Sequence, residues 1–224
     1  MDRITLLASL TKDANSIVDV GCDHGYVAIK ALEEYGVKHA YLLDINEQPL
    51  ENARKNVINK HLEDRTTFLL SDGLVSFSGE MDTLVIAGMG GVLISSILDK
   101  SLEKAKQFKK IILAPNNEVD KLRTYLISHH FIFDDEDLIK DGKKCYEIIT
   151  CHFDDKVKGQ YSLLDMKFGP ILRKKESKLF DEQIAKRQAM LNECLKKAND
   201  EVGKSKIKVE LAFIAMLRGT RNGK

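Results

Sequence analysis

Long apolar runs are missing from this chain of 224 residues. None approaches the roughly 20 residues a helix needs to cross a bilayer, and Met1-Asp2-Arg3 is followed by too short an apolar stretch for a secretory leader. The expectation is a cytoplasmic protein with no membrane partner. Cysteine is sparse: Cys22, Cys145, Cys151 and Cys194 form no CxxC pair and have no histidine at ligand spacing. That argues against a structural zinc site and against a disulfide framework, so free thiols and no metal are expected. With 3 prolines, 43% hydrophobic and 31% charged residues, the collagen-like and wholly disordered classes are excluded. Excess charge of one sign is also missing, since the net is +1, but that balance hides a split. Residues 1–152 carry 18 Lys and Arg against 24 Asp and Glu, net −6, while residues 153–224 carry 17 against 10, net +7. An acidic front and a basic rear imply different partners.

What is present has α/β character. The length is about one and a half usual domains, which suggests a full domain with an appendage. Apolar, β-branched runs at Ile17–Val20, Ala40–Asp44, Thr66–Leu70, Thr83–Ala87 and Lys110–Ala114 are continuous rather than alternating, as strands covered on both faces should be. Helical spacing at Val27–Tyr35, Gln48–Lys60, Val92–Lys100 and Val119–His129 separates them. A doubly wound, Rossmann-like sheet follows, with its sites at the carboxyl ends of the strands. Phe131–Leu138 and Cys145–Phe153 flank a Gly142 turn and read as an appended antiparallel hairpin. Beyond it the strands stop. Leu172, Leu179, Phe180, Ile184, Leu191 and Leu195 recur at helical steps, and a continuous helix over Ser162–Asn199 would run about 57 Å. Gly169-Pro170 should kink or restart it and Gly203-Lys204-Ser205 can break it. Ile207, Leu211, Ile214 and Leu217 would then form the second arm of a coiled-coil-like hairpin. The expected division is a Rossmann-like domain at 1–155 and a basic helical domain at 156–224.

The turn Val20-Gly21-Cys22-Asp23-His24-Gly25-Tyr26 leads from a strand into a helix, where a nucleotide-binding glycine loop belongs. Dinucleotide enzymes need a glycine where this chain has Asp23, whose carboxylate would repel a pyrophosphate. S-adenosyl-L-methionine carries a sulfonium and an ammonium and no phosphate, and an acid here suits it. Asp44 ends the second strand, 23 residues after Gly21, and can accept bonds from both ribose hydroxyls; Ile45 follows it. Asp72, before Gly73, ends the third strand and can accept from the adenine amino group. Such acids also cap helices, but three in register favour a cofactor. Gly88 opens Gly88-Met89-Gly90-Gly91, which permits close approach of the methionine moiety or tight packing alike. Asn116, after Pro115, offers a donor and an acceptor at the cleft floor. Tyr26 could stack on a ligand or be a half-buried core residue. His129-His130 and Asp134–Asp137 receive no function.

Asp19-Val20-Gly21-Cys22-Asp23-His24-Gly25-Tyr26, Ala87-Gly88-Met89-Gly90-Gly91, Ala114-Pro115-Asn116 and Gly142-Lys143-Lys144-Cys145-Tyr146-Glu147 together resemble the bacterial tRNA (adenine(22)-N1)-methyltransferase family over nearly the whole chain. The pattern departs at Cys22, Ala28 and Ala114. The resemblance implies a class I S-adenosyl-L-methionine-dependent methyltransferase domain followed by a coiled-coil-like helical domain, with tRNA as substrate. It also places Arg3 in the first helix near the cofactor, so the cofactor set becomes Arg3, Gly21, Asp23, Gly25, Asp44, Ile45, Asp72, Gly73 and Gly88. Asp23 and Asn116 are the catalytic candidates, through positioning and charge stabilisation rather than strong base catalysis. Arg173, Lys174, Lys175, Lys178, Lys186, Arg187, Lys196 and Lys197 are the candidate phosphate contacts. A small-molecule methyltransferase would leave the basic arm unexplained. A non-catalytic RNA-binding protein with a nucleotide fold would bind the cofactor without transferring its methyl group.

Overall fold

The five continuous apolar runs become the parallel strands β1 (Ser16–Val20), β2 (His39–Asp44), β3 (Thr66–Leu70), β4 (Thr83–Ala87) and β5 (Lys110–Ala114) of a computed structural model that describes residues 1–157 and 159–222. The hairpin strands β6 (Phe131–Asp141) and β7 (Lys144–Phe153) complete a seven-stranded sheet of order β3-β2-β1-β4-β5-β7-β6. The chain winds outward from β1 through β2 to β3, then returns to β4 on the other side of β1. That reversal opens a crevice beyond the carboxyl ends of β1 and β4. All five residues of β1 are buried, which accounts for its unbroken apolar character.

Helices α1 (Arg3–Leu10), α2 (Tyr26–Glu34) and α3 (Glu47–Ile58) contribute Leu7, Ala8, Ala28, Ile29, Leu32, Leu50, Ala53 and Val57 to clusters with Ile17, Ala40, Leu42, Val85 and Ile112 of the sheet. The alternate strand residues Val18, Leu84, Ile86, Ile111 and Leu113 are equally buried and face the opposite side. Buried Ile94 and Leu98 of α4 (Gly91–Lys100), Ala105 of the short α5 (Leu102–Ala105), and Leu122 and Leu126 of α6 (Val119–Ser128) serve that second face. The N-terminal helix is therefore a packing element, capped by Asp2, whose carboxylate accepts the Thr5 N–H at 2.7 Å.

The hairpin is pinned to the sheet by buried charge. Arg123 of α6 is fully buried and donates from Nε to Glu136 of β6 at 2.8 Å and from Nη2 to Glu147 of β7 at 2.5 Å. Removing either acid would leave a buried cation short of a partner, a change that typically costs about 3–5 kcal/mol. Gly142 alone of the two turn residues has positive φ (57°), which fits a II′ turn between paired Asp141 and Lys144.

Met1–Gln160 and Tyr161–Lys224 are two compact units. In the second unit the helical arm restarts after Gly169-Pro170 and is shorter than a continuous helix over Ser162–Asn199 would be. Helix α7 (Leu163–Phe168) opens on a Ser162–Asp165 capping box and ends at Gly169, whose φ of 87° no helix continues through. A 3₁₀ turn at Leu172–Lys174 follows, and α8 (Lys178–Lys197) starts afresh on a Ser177 cap, so the arm is 20 residues, about 30 Å. The next break lies at Ala198-Asn199-Asp200 rather than at Gly203-Lys204-Ser205. Asp200 caps α9 (Glu201–Asn222) by accepting the Gly203 N–H at 2.6 Å, which draws Gly203 into the first helical turn. Antiparallel pairing of α8 and α9 buries Phe180, Leu191, Ile214 and Leu217. Arg221, near the end of α9, reaches Asp181 at 3.2 Å and the Arg173 and Lys175 carbonyls at 3.1 Å.

Candidate functional site

The β1–α2 loop turns by placing three of five residues at positive φ: Gly21 (72°), Asp23 (48°) and Gly25 (71°). The Gly21 and Cys22 N–H groups both donate to the Leu43 carbonyl, at 2.7 and 3.2 Å, tying the loop to the end of β2. Asp23 holds a conformation that costs an ordinary side chain about 1 kcal/mol or more, and its carboxylate is exposed beside His24 at 3.6 Å. Gly25 serves the packing of helix on strand: a Cβ there would meet Leu42 at 2.8 Å and Ala53 at 3.2 Å.

A cavity of about 640 Å³ opens where this loop meets the ends of β2, β3, β4 and β5. Arg3, Gly21, Asp23, Asp44, Ile45, Asp72, Gly73, Gly88 and Asn116 all line it, and Gly25 does not. The sequence reasoning thus converges on a single crevice except at that packing glycine. Asp44 is nearly buried, and its Oδ1 accepts the Asn46 N–H at 2.9 Å, which fixes the carboxylate at the strand end. Asp72 is ion-paired with Lys100. Lys104 braces the same loop by donating to the Leu74, Val75 and Phe77 carbonyls at 2.6–3.0 Å.

The glycine-rich segment divides its labour. Gly88 has a φ of 82° and open space beside its Cα, so the backbone itself faces the cavity. Gly91 packs instead, because a Cβ there would lie 2.3 Å from the Glu118 carbonyl oxygen. Asn116 is locked at both ends of its amide: Nδ2 donates to the Gly88 carbonyl, and Oδ1 accepts from Arg3 Nη1 at 3.2 Å. The Arg3 guanidinium also lies over the Tyr146 ring, 4.4 Å from its centroid. Tyr26 is 51% exposed and stacked on His24 at 5.3 Å, so it belongs to the site rather than the core.

Asp19 was passed over as part of the strand. It is 4% exposed and lines the cavity. Burial, reinforced by the neighbouring Asp44 carboxylate, pushes it up from its ordinary 3.8 to about 7. An acid in an otherwise apolar strand was the available signal. Tyr146 and Lys144 arrive from the hairpin, and only the three-dimensional pairing of β7 with β5 brings them to the cavity. Burial also raises the Cys22 thiol, leaving it a poor nucleophile. All four cysteines are free, and among the described residues no three His, Cys, Asp or Glu side chains are grouped to hold a metal ion.

Residues 17–217 match the family model described as tRNA (adenine(22)-N(1))-methyltransferase. The chain belongs to this family. Within the tRNA (adenine(22)-N(1))-methyltransferases it is 28% identical over 218 residues to the Bacillus subtilis (strain 168) enzyme of that name, covering 94% of this chain and 91% of the relative. Sp1610 of Streptococcus pneumoniae, described as a candidate tRNA (m1A22) methyltransferase, superposes with a TM-score of 0.89 at 30% identity, over 97% of this chain and 98% of its own. Its complex with S-adenosyl-L-methionine superposes with a TM-score of 0.86, covering 97% and 99%. M. capricolum TrmK bound to S-adenosyl-homocysteine gives 0.85 at 25% identity, covering 96% and 95%.

The raised Asp19 pKa makes this family member's stability depend on pH. Below about pH 4 the carboxyl is protonated in both the folded and unfolded chains. Between about pH 4 and 7 the unfolded chain ionises first, so stability falls with rising pH, and above 7 the loss is complete. Asp19→Asn removes the term, which amounts to at most about 4 kcal/mol. Urea unfolding should show the variant gaining on the parent between pH 4.5 and pH 8; an identical difference at both pH values would contradict the buried charge.

Proposed function

We propose that this protein transfers a methyl group from S-adenosyl-L-methionine to N1 of adenine 22 in tRNA, in the cytoplasm where tRNA is found. The observation that carries the reading is the set of carboxylates around one crevice, above all the buried Asp19 beside Asp44, in a chain of this family. The residues fit the cofactor by their chemistry. Asp19, Asp23, Asp44 and Asp72 make the cavity hostile to a pyrophosphate and hospitable to a phosphate-free ligand bearing two positive charges. When bound, the cofactor supplies an electrophilic methyl on its sulfonium.

The remaining chemistry belongs to the chain. Asp44 holds the ribose hydroxyls, Asp72 and Gly73 border the adenine, Ile45 packs on it, and Gly21 and Gly88 let backbone approach the methionine part. Arg3 lies near enough to the cavity mouth to serve the carboxylate. Adenine N1 has a free lone pair, so no proton need leave before attack, and alignment dominates the rate. The ring gains positive charge as the methyl arrives, and the exposed Asp23 carboxylate is worth more against that charge than against the neutral base. Asn116 orients the base.

N1 sits on the pairing edge, so the nucleotide must leave its stack to react, and that disruption is offset by contacts elsewhere on the RNA. The basic unit supplies these. Lys174, Lys178, Lys186 and Lys197 are exposed and make no ion pair among the described residues, and Lys175 lies beside them. Lys196 is paired with Glu193 at 2.7 Å and Arg187 with Glu210 at 3.5 Å. Arg173 is withdrawn from the set, because its 15% exposed side chain is bound to Asp165 at 2.6 Å.

Three outcomes test the proposal. Incubation with unmodified tRNA and labelled cofactor, followed by nucleoside mass spectrometry and mapping, should place N1-methyladenosine at position 22; methylation only at N6, on guanine or on a small molecule would refute it. Asp44→Ala should weaken cofactor binding by about 1.5–3 kcal/mol, through loss of a charge-assisted bond, and unchanged affinity by calorimetry would remove Asp44 from the ribose. Replacing Lys174, Lys178, Lys186 and Lys197 together by Gln should weaken tRNA binding and flatten its dependence on log salt by up to about 3, at about 0.7–0.9 per phosphate contact. An unaltered slope would move the RNA platform away from these lysines.

A further inference from the structure

The Arg3 guanidinium occupies a place shaped for something else. It is a flat, amino-edged group, stacked 4.4 Å from the centroid of Tyr146 and donating to Asn116 Oδ1 at 3.2 Å. A purine with an exocyclic amino group has the same two features, a face to stack and an N–H to give. Building on the adenine reading above, we infer that Tyr146 is the platform on which the target base stacks, and that Arg3 holds that place until the base enters.

Three observations converge on this assignment. Asn116 cannot rotate its amide to suit either ligand, because Nδ2 is committed to the Gly88 carbonyl and the backbone N–H to the Met89 carbonyl at 2.7 Å. Its Oδ1 is therefore a fixed acceptor. It takes the N6 amino group of adenine and leaves the adjacent N1 unblocked, whereas guanine would bring its own O6 acceptor against Oδ1, an unpaired contact that disfavours it. Tyr146 is equally fixed. Its neighbour Glu147 is held by the buried Arg123, which also grips Glu136 on the opposite strand, so the ring rides on a hairpin pinned to α6. Finally, Tyr146, Arg3 and Asn116 line the same cavity as the cofactor carboxylates. Tyr26 is the rival platform, but it is stacked on His24, and the amide bonded beside that pair, Asn56, is not part of the cavity lining.

Base stacking on an aromatic ring predicts a rate loss of about ten- to a hundred-fold when the ring is removed. Single-turnover methyl transfer at saturating tRNA is to be measured for the full chain and for Tyr146→Phe, Tyr146→Ala and Tyr26→Ala. Cofactor affinity serves as the check that each variant is folded. Emission from tRNA carrying a fluorescent adenine analogue that retains the 6-amino group, in place of the target adenine, reports stacking directly. Tyr146→Ala should lose rate by that factor and raise the bound emission, with tRNA and cofactor affinities within about threefold of the parent. Tyr146→Phe should keep both rate and emission. If Tyr146→Ala transfers methyl at the parental rate with unchanged emission, or if only Tyr26→Ala shows the loss, the platform is misassigned. Absence of N1-methyladenosine from the unaltered chain would instead overturn the proposed function, and the emission arm would still decide whether Tyr146 stacks the base.

Discussion

A buried carboxyl on the wall of the crevice governs this site. Asp19 sits in the central strand, where burial, and Asp44 on the adjacent strand, raise the cost of its ionisation. A protein that held this arrangement only for stability would do better with an asparagine or an apolar residue. The cost becomes intelligible when a cation is brought to the crevice: the same low dielectric that penalises the free charge strengthens its attraction to an ammonium or sulfonium. The fold makes this possible, because strand order reverses beside β1 and leaves the ends of β1 and β4 uncovered by any crossover connection.

The second constraint is the Arg123–Glu136–Glu147 cluster. A parallel sheet of this kind supplies the cofactor crevice but offers few side chains to the substrate side. The antiparallel hairpin supplies them, and its placement rests on one buried guanidinium bridging both strands to a helix. Tyr146 and Lys144 reach the cavity only because β7 lies next to β5 in the opposite direction, so side chains near the turn end of the hairpin meet the carboxyl ends of the parallel strands.

Much of this was legible in the residues. β3, β4 and β5 have the ends expected from their runs, and in β4 and β5 four of the five residues are buried, so the apolar stretch marks the strand. The acids and glycines at strand ends were legible for the same reason, standing out against apolar runs. The interruption at Gly169-Pro170 was legible as a kink or restart, but its extent through a 3₁₀ turn to Ser177 was not, because Leu172 and Leu179 continue the helical spacing across it. The second break was misplaced because Gly203 looks like a helix stop, yet at the third position of α9 its N–H is the donor that an Asp200 cap requires. Arg173 looked like its basic neighbours; that Asp165 claims it follows from the capping box folding back, which spacing does not reveal.

The charge split acquires a physical meaning in these terms. Residues 1–160 carry 20 Lys and Arg against 26 Asp and Glu, and residues 161–224 carry 15 against 8. The carboxylates that exclude phosphate-bearing cofactors from the crevice also repel the backbone of an RNA, so the catalytic unit works against its own substrate at long range. Under the proposed function, counterion release from lysines of the second unit would offset that repulsion, and carrying the positive charge there rather than at the crevice would leave the acids lining it unneutralised.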